Sequence, residues 1–555
     1  ELANITSTFQ VMSSQLRSHI IKSFKLSGFS LRSEAANHLV HLLSPLDADE
    51  QDAWLDKVID HVQKLALGST IIDKQVIIEV SQDCAKIESG SSKECFIVID
   101  AFSVPLLTYC AERKKFFEKS VKNEPSVILG QADDKIALYK NRYNLVLQRT
   151  MRNALFSPSL SAFNITKDRK KFELKTIEYL LGTSSKTGDI IVLGMLTQIK
   201  EGKYYLEDPT GYVVADLEET ISFSSTFFVI SFEFSFFFLN NTYKFHDGLF
   251  LQNCYVLAEG YYNDDTYHVK AMGFPPIETA EITRAFFAQT NFFGGLSNLR
   301  FSNKMKHMES SRPNDMIVIV SDIWLDDSKV MEKLERLFSG FADMPPIAFI
   351  LCGSFLTHPG SNQDYKELRD HFAKLADIIS TFSSLSASKF VIVPSLNDPG
   401  LSHIFPRPPL LKCITESFEK KVPTATFTTN PCRIQYCTKE IVIFREDIVT
   451  KMCRNCVYFP THGDIAYHFS KTIMSQSHLA PLPLHVCPVF WTYDSAMYLY
   501  PLPDLIVCAD KFKPFSIHQD GCRVTNPGSF SKSDYTFQVY YPYSNQIEDS
   551  QVTGD

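Results

Sequence analysis

The sequence predicts a multidomain α+β protein with three parts in chain order: a helical N-terminal block, a small β-barrel and a larger α/β region. Three observations lead to this prediction. Apolar residues recur at helical spacing near the start, alternate with a period of two in the middle, and form near-continuous runs separated by amphipathic helices in the C-terminal half. A chain of 555 residues is long enough to bury several separate cores.

Composition narrows the class of protein. Lys and Arg number 55 against 63 Asp and Glu, which gives a formal charge of −8, and 45% of the residues are hydrophobic. This composition is typical of a folded acidic protein and not of a disordered tail. A chain that mainly wraps a phosphate backbone needs an excess of Lys and Arg, so that class is disfavoured, although a local basic patch stays open.

Cysteine usage and the first twenty residues indicate the cellular compartment in which the protein folds. The 13 Cys are odd in number and mostly lie in apolar runs, as do Cys352, Cys487 and Cys508. We therefore expect buried free thiols from a reducing compartment and not a disulfide framework. The first twenty residues lack the uninterrupted apolar core of a signal peptide. Because the chain begins with Glu1 and Met12 opens the first regular pattern, residues 1–11 are interpreted as upstream sequence or a fragment end.

The first predicted domain, residues 12–85, is helical. Ser30, Ser33 and Ser44 with Pro45 supply cap and stop signals between the helices. Its apolar residues at helical spacing are Ile20, Phe24, Leu39, Leu42, Leu43, Trp54, Val58, Ile59, Val62, Val76, Ile77 and Val80.

Residues 86–160 are predicted as a linker that contains one long helix starting near Asp133. The apolar stripe of this helix is formed by Ile136, Tyr139, Tyr143 and Val146. Three arginines lie beside the stripe: Arg142, Arg149 and Arg152. They are interpreted as a solvated face or as partners of carboxylates on a neighbouring protein, with phosphate contacts as the less common alternative.

Residues 161–290 are predicted to form a small barrel of the oligonucleotide-binding (OB) type. Short alternating strands occur at 189–199, 203–217, 254–262 and 266–274, and tight turns such as Glu207-Asp208-Pro209-Thr210-Gly211 join them. The strands lack an evident row of exposed aromatic residues interleaved with Lys and Arg. We therefore expect a barrel used for protein packing, while binding of single-stranded DNA remains an alternative.

A Phe- and Ser-rich run, residues 221–239 within the insertion 220–242, interrupts the barrel pattern. Its composition of residues with pyrimidine-rich codons favours translation through a retained intron. An ordered family insertion is a second reading. A membrane span is a third, disfavoured because flanking Lys and Arg are missing and the run only just reaches spanning length.

Residues 291–555 are predicted to form the α/β region. The runs 316–322, 348–354 and 389–395 read as buried strands, and the helices between them carry apolar stripes, which indicates a sheet covered on both faces. Ligands of such sheets gather at the carboxyl ends of the strands. Those ends carry Asp322 and Trp324, then Ser354, then Asn397 and Asp398.

This succession resembles the calcineurin-type phosphoesterase fold, whose active members end successive strands in D-x-H, G-D, G-N-H and G-H-x-H and close with an N-P-G-S turn. The resemblance implies two metal ions that activate a water for attack on phosphorus. Asp322 matches the first Asp, but Trp324 stands where His belongs and Ser354 where the bridging Asp belongs.

Later motifs depart further. Asn397 is in place, but Asp398 replaces the next His, the last motif reads Ala509-Asp510-Lys511-Phe512, and His478 matches a remaining lone His. The resemblance therefore implies an inactive domain without metal or other cofactor, whose remnants are Asp322, Trp324, Ser354, Asn397, Asp398, His478 and Asp510. The alternative is a metal-dependent phosphodiesterase or nuclease in which Asp398 and Asp510 bind one Mg²⁺ or Mn²⁺ weakly.

Two further patterns have more than one reading. Asp322 is either a relic ligand or a cap for the following helix, and the cap is favoured. Cys432 and Cys437 with Cys453 and Cys456 suggest a zinc site, but only the second pair has knuckle spacing, so buried thiols are favoured.

The order of helical block, barrel and degenerate phosphoesterase core resembles the B subunits of eukaryotic replicative DNA polymerases. The stretches QRTMRNALF (148–156), SDIWLDD (321–327), TTNPCRIQYCTKEIVIFRED (428–447) and KMCRNCVYFP (451–460) are similar to the epsilon branch of that family. The likeness covers nearly everything from Met12 onward, with residues 221–239 as the departure.

The resemblance implies a noncatalytic nuclear subunit in DNA replication. Its expected partners are the zinc-binding C-terminal region of the epsilon catalytic subunit, the replicative helicase assembly, and the small histone-fold subunits through the complex. Contact with DNA is expected at most within that complex, and no contact with a membrane is expected. An aromatic-rich acidic chain, with 44 Phe and 23 Tyr, suits large protein contacts.

Overall fold

A computed structural model of the chain describes residues 16–44, 48–64, 71–78, 80–81, 95–118, 130–157, 172–218, 247–287, 290–295, 303–359, 364–400, 403–460 and 462–554. The chain divides into two compact units, Glu1–Cys95 and Phe96–Asp555. Residues 1–11 and the Phe-rich insertion lie outside the described residues, so the readings given above for both stay predictions.

The first unit is helical, as the apolar spacing predicts. Its helices span 16–26, Ser33–Leu43, Ala48–Lys64 and 74–78, and the two-residue strands Ser30–Leu31 and Ile71–Ile72 pair in parallel. The predicted stripe forms the core, in which Ile20, Phe24, Leu39, Leu43, Val58, Val62 and Ile77 are fully buried. Burial of these side chains against one another is what stabilises short helices that would be marginal alone.

The interval predicted as a linker differs from that prediction in its first part. Phe96–Asp100 is a strand that pairs with Cys432–Tyr436, and Leu107–Cys110 pairs with Lys115–Glu118 as a hairpin. Phe96–Asp100 becomes a strand because it pairs with a strand that is distant in sequence, and its local sequence pattern does not predict this. The expected long helix follows as Ala132–Arg152.

The prediction that the arginines of that helix form a solvated face or pair with carboxylates of a neighbouring protein is wrong. Arg142 and Arg149 are buried, and their partners lie in the same unit. The Arg142 Nε donates to Asp494 Oδ2 at 2.8 Å, and Arg152 Nη2 lies 2.7 Å from Glu278 Oε2. Ile136, placed in the predicted stripe, is instead 64% exposed.

The barrel closes as predicted. Its strands are Ile190–Lys200, Lys203–Asp208, Gly211–Asp216, Tyr255–Asn263 and Thr266–Gly273, and Leu174–Lys175 adds to the first of them. Tyr255–Asn263 pairs with both the first and the last of the five, and the third pairs in parallel with the last. These pairings close the five strands into a barrel, and Leu174–Lys175 is a short edge strand beside it.

Two six-stranded sheets form the C-terminal region. In spatial order along the first sheet lie Ala425–Phe427, Lys389–Val393, Ala348–Cys352, Ile317–Ser321, Thr536–Tyr541 and Gln546–Gln551. Along the second lie Phe515–Gln519, Cys522–Asn526, Leu505–Ala509, Lys439–Arg445, Cys432–Tyr436 and Phe96–Asp100. A separate short pair joins Phe250–Leu251 to Cys456–Tyr458.

The pairing of Phe96–Asp100 shows how the barrel is connected. This strand precedes the barrel in sequence, whereas the other strands of its sheet come after the barrel. The barrel is therefore inserted within the two-sheet region and does not merely precede it.

Helices cover the first sheet. They span Ser328–Gly340, Asp364–Thr381 and Lys412–Lys421, and they pack Leu334, Phe338 and Leu368 against strand residues such as Phe349. The second unit also contains the helices Ile177–Leu181, Ala280–Phe286, Asn303–Ser311, Ile448–Arg454 and Ile465–Gln476 and the 3₁₀ segments Ala101–Ser103, Ser383–Ala387 and Trp491–Met497. Among the described helices, none has the length and apolar character needed to cross a bilayer.

Candidate functional site

The carboxyl ends of three parallel strands meet, as the sequence predicts. Ser321, Cys352 and Val393 are aligned across Ile317–Ser321, Ala348–Cys352 and Lys389–Val393. In the second sheet Arg445 is aligned with Ala509. The residues that follow these strands, Asp322, Ser354, Asp398 and Asp510, are all buried.

Asp322 holds a loop and not a helix. Its carboxylate accepts a hydrogen bond from the Ser529 hydroxyl, and its carbonyl oxygen accepts one from Ser531 Oγ at 2.6 Å. The helix Ser328–Gly340 is capped by Asp327, which accepts from the Lys329 amide at 2.9 Å. The cap reading of Asp322 is therefore wrong, because Asp327 lies next to the helix and Asp322 is turned into the protein.

Arg445 places a permanent cation among these strand ends. Its Nη2 lies 3.4 Å from Asp322 Oδ1, its Nη1 donates to Asp447 Oδ1 at 2.8 Å, and its Nε donates to the Gly353 carbonyl. Burial would lower the pKa of Arg445, but Asp447 and Asp322 outweigh it and raise the pKa above its ordinary value. The guanidinium thus joins the two sheets at their buried strand ends.

Ser354 and Asp398 form a second buried cluster. Ser354 Oγ lies 3.1 Å from Ser395 Oγ. Asp398 accepts from the amides of Phe355 and Ser395, each at 2.7 Å. Burial raises the pKa of Asp398 despite these bonds. Both carboxylate oxygens are therefore committed to the backbone.

Asp510 is committed in the same way. Its oxygens accept from the Val449 amide at 2.9 Å and the Phe512 amide at 2.8 Å, and its own amide donates to Asn526 Oδ1 at 3.0 Å. Burial raises the pKa of Asp510 to about 6. The carboxylate serves to hold the start of Ile448–Arg454 and the turn after Leu505–Ala509.

His478 takes part in a different cluster. Its Nε2 lies 3.3 Å from Asp494 Oδ1, and its Nδ1 accepts from the Ala480 amide at 3.0 Å. Burial and the nearby Arg142 lower the pKa of His478 to about 4. These contacts place His478 with the long helix Ala132–Arg152 and not with the strand-end residues.

The residues present do not fit a two-metal centre. The bridging position carries the neutral hydroxyl of Ser354, and the oxygens of Asp398 and Asp510 already accept backbone hydrogen bonds. Arg445 adds a positive charge where cations would be needed. Within the described residues no group of three or more His, Cys, Asp or Glu side chains is arranged to bind a metal.

The two cysteine pairs lie on different elements. Cys432 begins the strand Cys432–Tyr436, Cys437 follows that strand, and both are buried. Burial raises the pKa of Cys432 well above its ordinary value. Cys453 is on the helix Ile448–Arg454, while Cys456 begins the strand paired with Phe250–Leu251. Such thiols resist becoming the thiolates that zinc requires.

A cleft with a cavity volume of about 210 Å³ lies over the strand ends of the first sheet. Trp324, Ser354 and Asn397 line it, together with Lys511 and Lys532. Three of the predicted remnants therefore share one surface, while Asp322, Asp398 and Asp510 are buried beneath or beside it.

The sequence patterns do not single out Arg445, Asp447 or Lys532, whereas Ser529 belongs to the expected N-P-G-S turn, Asn526-Pro527-Gly528-Ser529. The signal for Arg445 and Asp447 was present, because Arg445-Glu446-Asp447 follows an apolar strand at its carboxyl end. The partner of Arg445 could not be inferred, since Asp322 is 123 residues away in sequence.

Comparisons with known families match this architecture over most of its length. The family of B subunits of DNA polymerases alpha and epsilon matches residues 317–517. "DNA polymerase epsilon subunit 2-like, OB-fold domain" matches 132–233 and 237–276, and "DNA polymerases epsilon N terminal" matches 12–84.

Curated relatives are similar over nearly their whole length. "DNA polymerase epsilon subunit 2" of Mus musculus is 46% identical over 545 residues, which cover 97% of this chain and 99% of the mouse protein. The Homo sapiens protein of that name is 44% identical with the same coverage. The Drosophila melanogaster protein, which also has that name, is 38% identical over 543 residues, with 97% and 98% covered.

Solved structures give only faint likenesses. One, described in "Structural and Functional Characterization of a Novel Archaeal Phosphodiesterase", has 10% identity and a TM-score of 0.24, and covers 42% of this chain and 98% of that one. The protein TT1561 of Thermus thermophilus has 13% identity and a TM-score of 0.24, with 43% and 99% covered.

Proposed function

Because the chain belongs to the family of DNA polymerase epsilon B subunits, we propose that it is a noncatalytic accessory subunit of the DNA polymerase epsilon complex and acts in chromosomal DNA replication in the nucleus. The observation that carries this proposal is the similarity to the mouse and human second subunits, at 44–46% identity over 99% of their length. Matches to separate families for the N-terminal, OB-fold and C-terminal parts agree with it.

The chemistry of the strand ends supports a noncatalytic role. A phosphoesterase must expose carboxylates to metal ions that activate water. Here Asp398 and Asp510 accept hydrogen bonds from backbone amides, and Asp322 is paired with Arg445. We therefore disfavour the rival function of a metal-dependent phosphodiesterase or nuclease.

That rival has a direct test. The full chain is incubated with Mn²⁺ and a generic phosphodiester, with Asp322→Asn as the variant. We expect no metal-dependent turnover from either protein. Turnover by the wild type that disappears in Asp322→Asn would mean that the chain is an enzyme.

We propose that the second unit holds the zinc-binding C-terminal region of the epsilon catalytic subunit. Exposed apolar side chains on the barrel strands and on the helix Ile177–Leu181 support this role: Tyr179, Leu181, Ile199 and Tyr212 are between 47% and 60% exposed. Exposed aromatic and aliphatic groups of this kind supply the anchors of protein interfaces.

The proposal is tested by co-expression of the full chain with that C-terminal region. A stable one-to-one complex on size-exclusion chromatography with light scattering is expected. Two separate peaks at micromolar concentration would contradict the scaffolding role.

We further propose that the helical unit Glu1–Cys95 links the polymerase to the replicative helicase assembly, and that the histone-fold subunits and DNA are met only within the complex. The separate core of this unit supports an independent task. A chain that starts at Phe96 should keep the catalytic subunit and lose the helicase assembly in pull-down experiments. Equal helicase binding by both chains would contradict this assignment.

A further inference from the structure

We propose that the cleft beside Trp324 binds a phosphate monoester group without hydrolysing it. The cleft has a volume of about 210 Å³ and lies over the carboxyl ends of the first sheet. Its lining includes Trp324, Ser354, His358, Asn397, Lys511 and Lys532. None of the carboxylates of the strand ends lines it.

The carboxylates of Asp322 and Asp398 form hydrogen bonds and ion pairs inside the protein. Asp322 accepts from Ser529 and is paired with Arg445, and Asp398 accepts from the amides of Phe355 and Ser395. These two carboxylate residues are at most 2% exposed. An anion in the cleft therefore faces little direct repulsion from carboxylates.

The donors, in contrast, face the cleft. Lys532 Nζ lies 5.3 Å from the centre of the Trp324 ring, and in the part of the chain that the structure describes it forms no ion pair. Lys511 Nζ lies 3.4 Å from Asp447 Oδ2 and 3.9 Å from Asp322 Oδ1. Both carboxylates also pair with Arg445, so the charges of these two cations and two anions balance. Lys532 is therefore the uncompensated cation among the described lining residues, and Lys511 adds donors at its side.

Neutral donors complete the lining. The side-chain amide of Asn397 has no hydrogen-bond partner among the described residues, while its backbone amide donates to Ser395 Oγ at 3.2 Å. His358 is exposed at the rim. Lysine ammonium groups act as point charges for phosphate, and amide and imidazole N–H groups add direction.

The size of the cleft limits the ligand. Pockets that enclose a drug-sized molecule have volumes of about 300–1,000 Å³, so this cleft fits a phosphate group with the rest of the ligand outside. The phosphate monoester could belong to a free nucleotide or to the 5′ end of DNA, which share this chemistry. Binding should leave the ester intact, because Asp322 is paired with Arg445 and both oxygens of Asp398 accept backbone amides, so neither carboxylate is placed to hold a metal ion that would activate water.

The test is a titration of the full chain with inorganic phosphate, followed by ³¹P NMR and by calorimetry at constant ionic strength set with chloride. We expect saturable binding with Kd on the order of 1 mM. Lys532→Gln should weaken it about tenfold, and Lys511→Gln/Lys532→Gln should abolish it.

A matched control variant exists. Lys333 Nζ lies 5.3 Å from the centre of the Tyr535 ring, so it also stacks on an aromatic residue, but it lies outside the cleft. Lys333→Gln should bind phosphate like the wild type. Lys532 is exposed, so its replacement should leave the circular dichroism spectrum and unfolding midpoint unchanged.

Further titrations distinguish a free nucleotide from a DNA end as the source of the phosphate. A nucleoside 5′-monophosphate that binds tighter than a 5′-phosphorylated oligonucleotide identifies free nucleotide, and the reverse order identifies a DNA end. The matching nucleoside and 5′-hydroxyl oligonucleotide should not compete. Absence of saturable phosphate binding, or equal binding by the wild type and the double lysine variant, would overturn the proposal.

Discussion

Arg445 Nη2 lies 3.4 Å from Asp322 Oδ1, and the two side chains are 2% and 1% exposed. One belongs to the second sheet and the other follows a strand of the first, so this ion pair links the two sheets through their buried strand ends. A charge buried this deeply is tolerated only while its partner remains.

Replacing Arg445 should therefore destabilise the second unit strongly. Arg445→Met leaves Asp322 and Asp447 without their main cation, and the free energy of unfolding should fall by about 3–5 kcal/mol. Urea unfolding monitored by tryptophan fluorescence measures this change. The exposed pair Arg336–Glu332 supplies the control, since Arg336→Met should cost less than about 1 kcal/mol. Equal losses for the two variants would show that the buried pair has no special role.

Gly353→Ala should also destabilise the chain. A Cβ at this position would clash with Asp398 Oδ2 and lie 2.9 Å from the Ser395 amide nitrogen. Asp398 cannot move away without losing its bonds to two amides, so we expect a loss of about 1–3 kcal/mol in thermal or urea unfolding. Gly340→Ala, which meets no atom within 4 Å, should leave stability unchanged or raise it by up to about 1 kcal/mol. A neutral Gly353→Ala would mean that the strand ends are loosely packed.

His478 should make stability depend on pH. Burial and Arg142 lower its pKa to about 4, so the folded state stays unprotonated there while the unfolded state takes up a proton below about pH 6.5. Unfolding therefore becomes easier as the pH falls from about 6.5 to about 4, by up to about 3 kcal/mol.

The variant His478→Gln isolates this contribution. Asp398 and Asp510, whose raised pKa values act in the opposite direction, titrate in both proteins and cancel in the comparison. Urea midpoints measured at intervals over this pH range should show a flatter dependence for the variant. An unchanged slope would assign the pH dependence to other groups.

Tyr212 should contribute to binding of the catalytic subunit. It is 60% exposed on the barrel, and its ring packs 6.0 Å from that of Tyr205. If it anchors the partner, Tyr212→Ser should weaken the complex by about 2 kcal/mol, which is about thirtyfold in Kd. Tyr543, 50% exposed between the last two strands of the first sheet, gives the matched control. Equal effects of Tyr212→Ser and Tyr543→Ser in a binding titration would remove the barrel face from the interface.

Much of the architecture could be predicted from local patterns. The period of two gave the strands of the barrel, and the run from Ile317 to Ser321 was identified because a strand buried on both faces has no polar side. The helical unit followed from its stripe in the same way, with Phe24 and Leu39 in its core.

What escaped prediction depends on contacts between distant residues. Phe96–Asp100 has five residues and no periodic neighbour, and it becomes a strand through pairing with Cys432–Tyr436. Arg142 and Arg149 lie on a helix surface that looks polar in sequence, but Asp494 and the carbonyls of Met474 and Ser475 receive them in the interior. Charge alone cannot tell a solvated arginine from a buried, paired one.

The insertion of the barrel sets the order in which this protein can mature during synthesis. Ala101 donates its amide hydrogen to Thr429 Oγ1, a residue 328 positions later. During synthesis the barrel and the first half of the α/β region leave the ribosome before Cys432–Tyr436, the strand that pairs with Phe96–Asp100. Until then the backbone N–H and C=O groups of Phe96–Asp100 are unpaired. Nascent chains of this family should therefore depend on chaperones that shield strand edges, and truncated products that end before Cys432 should aggregate.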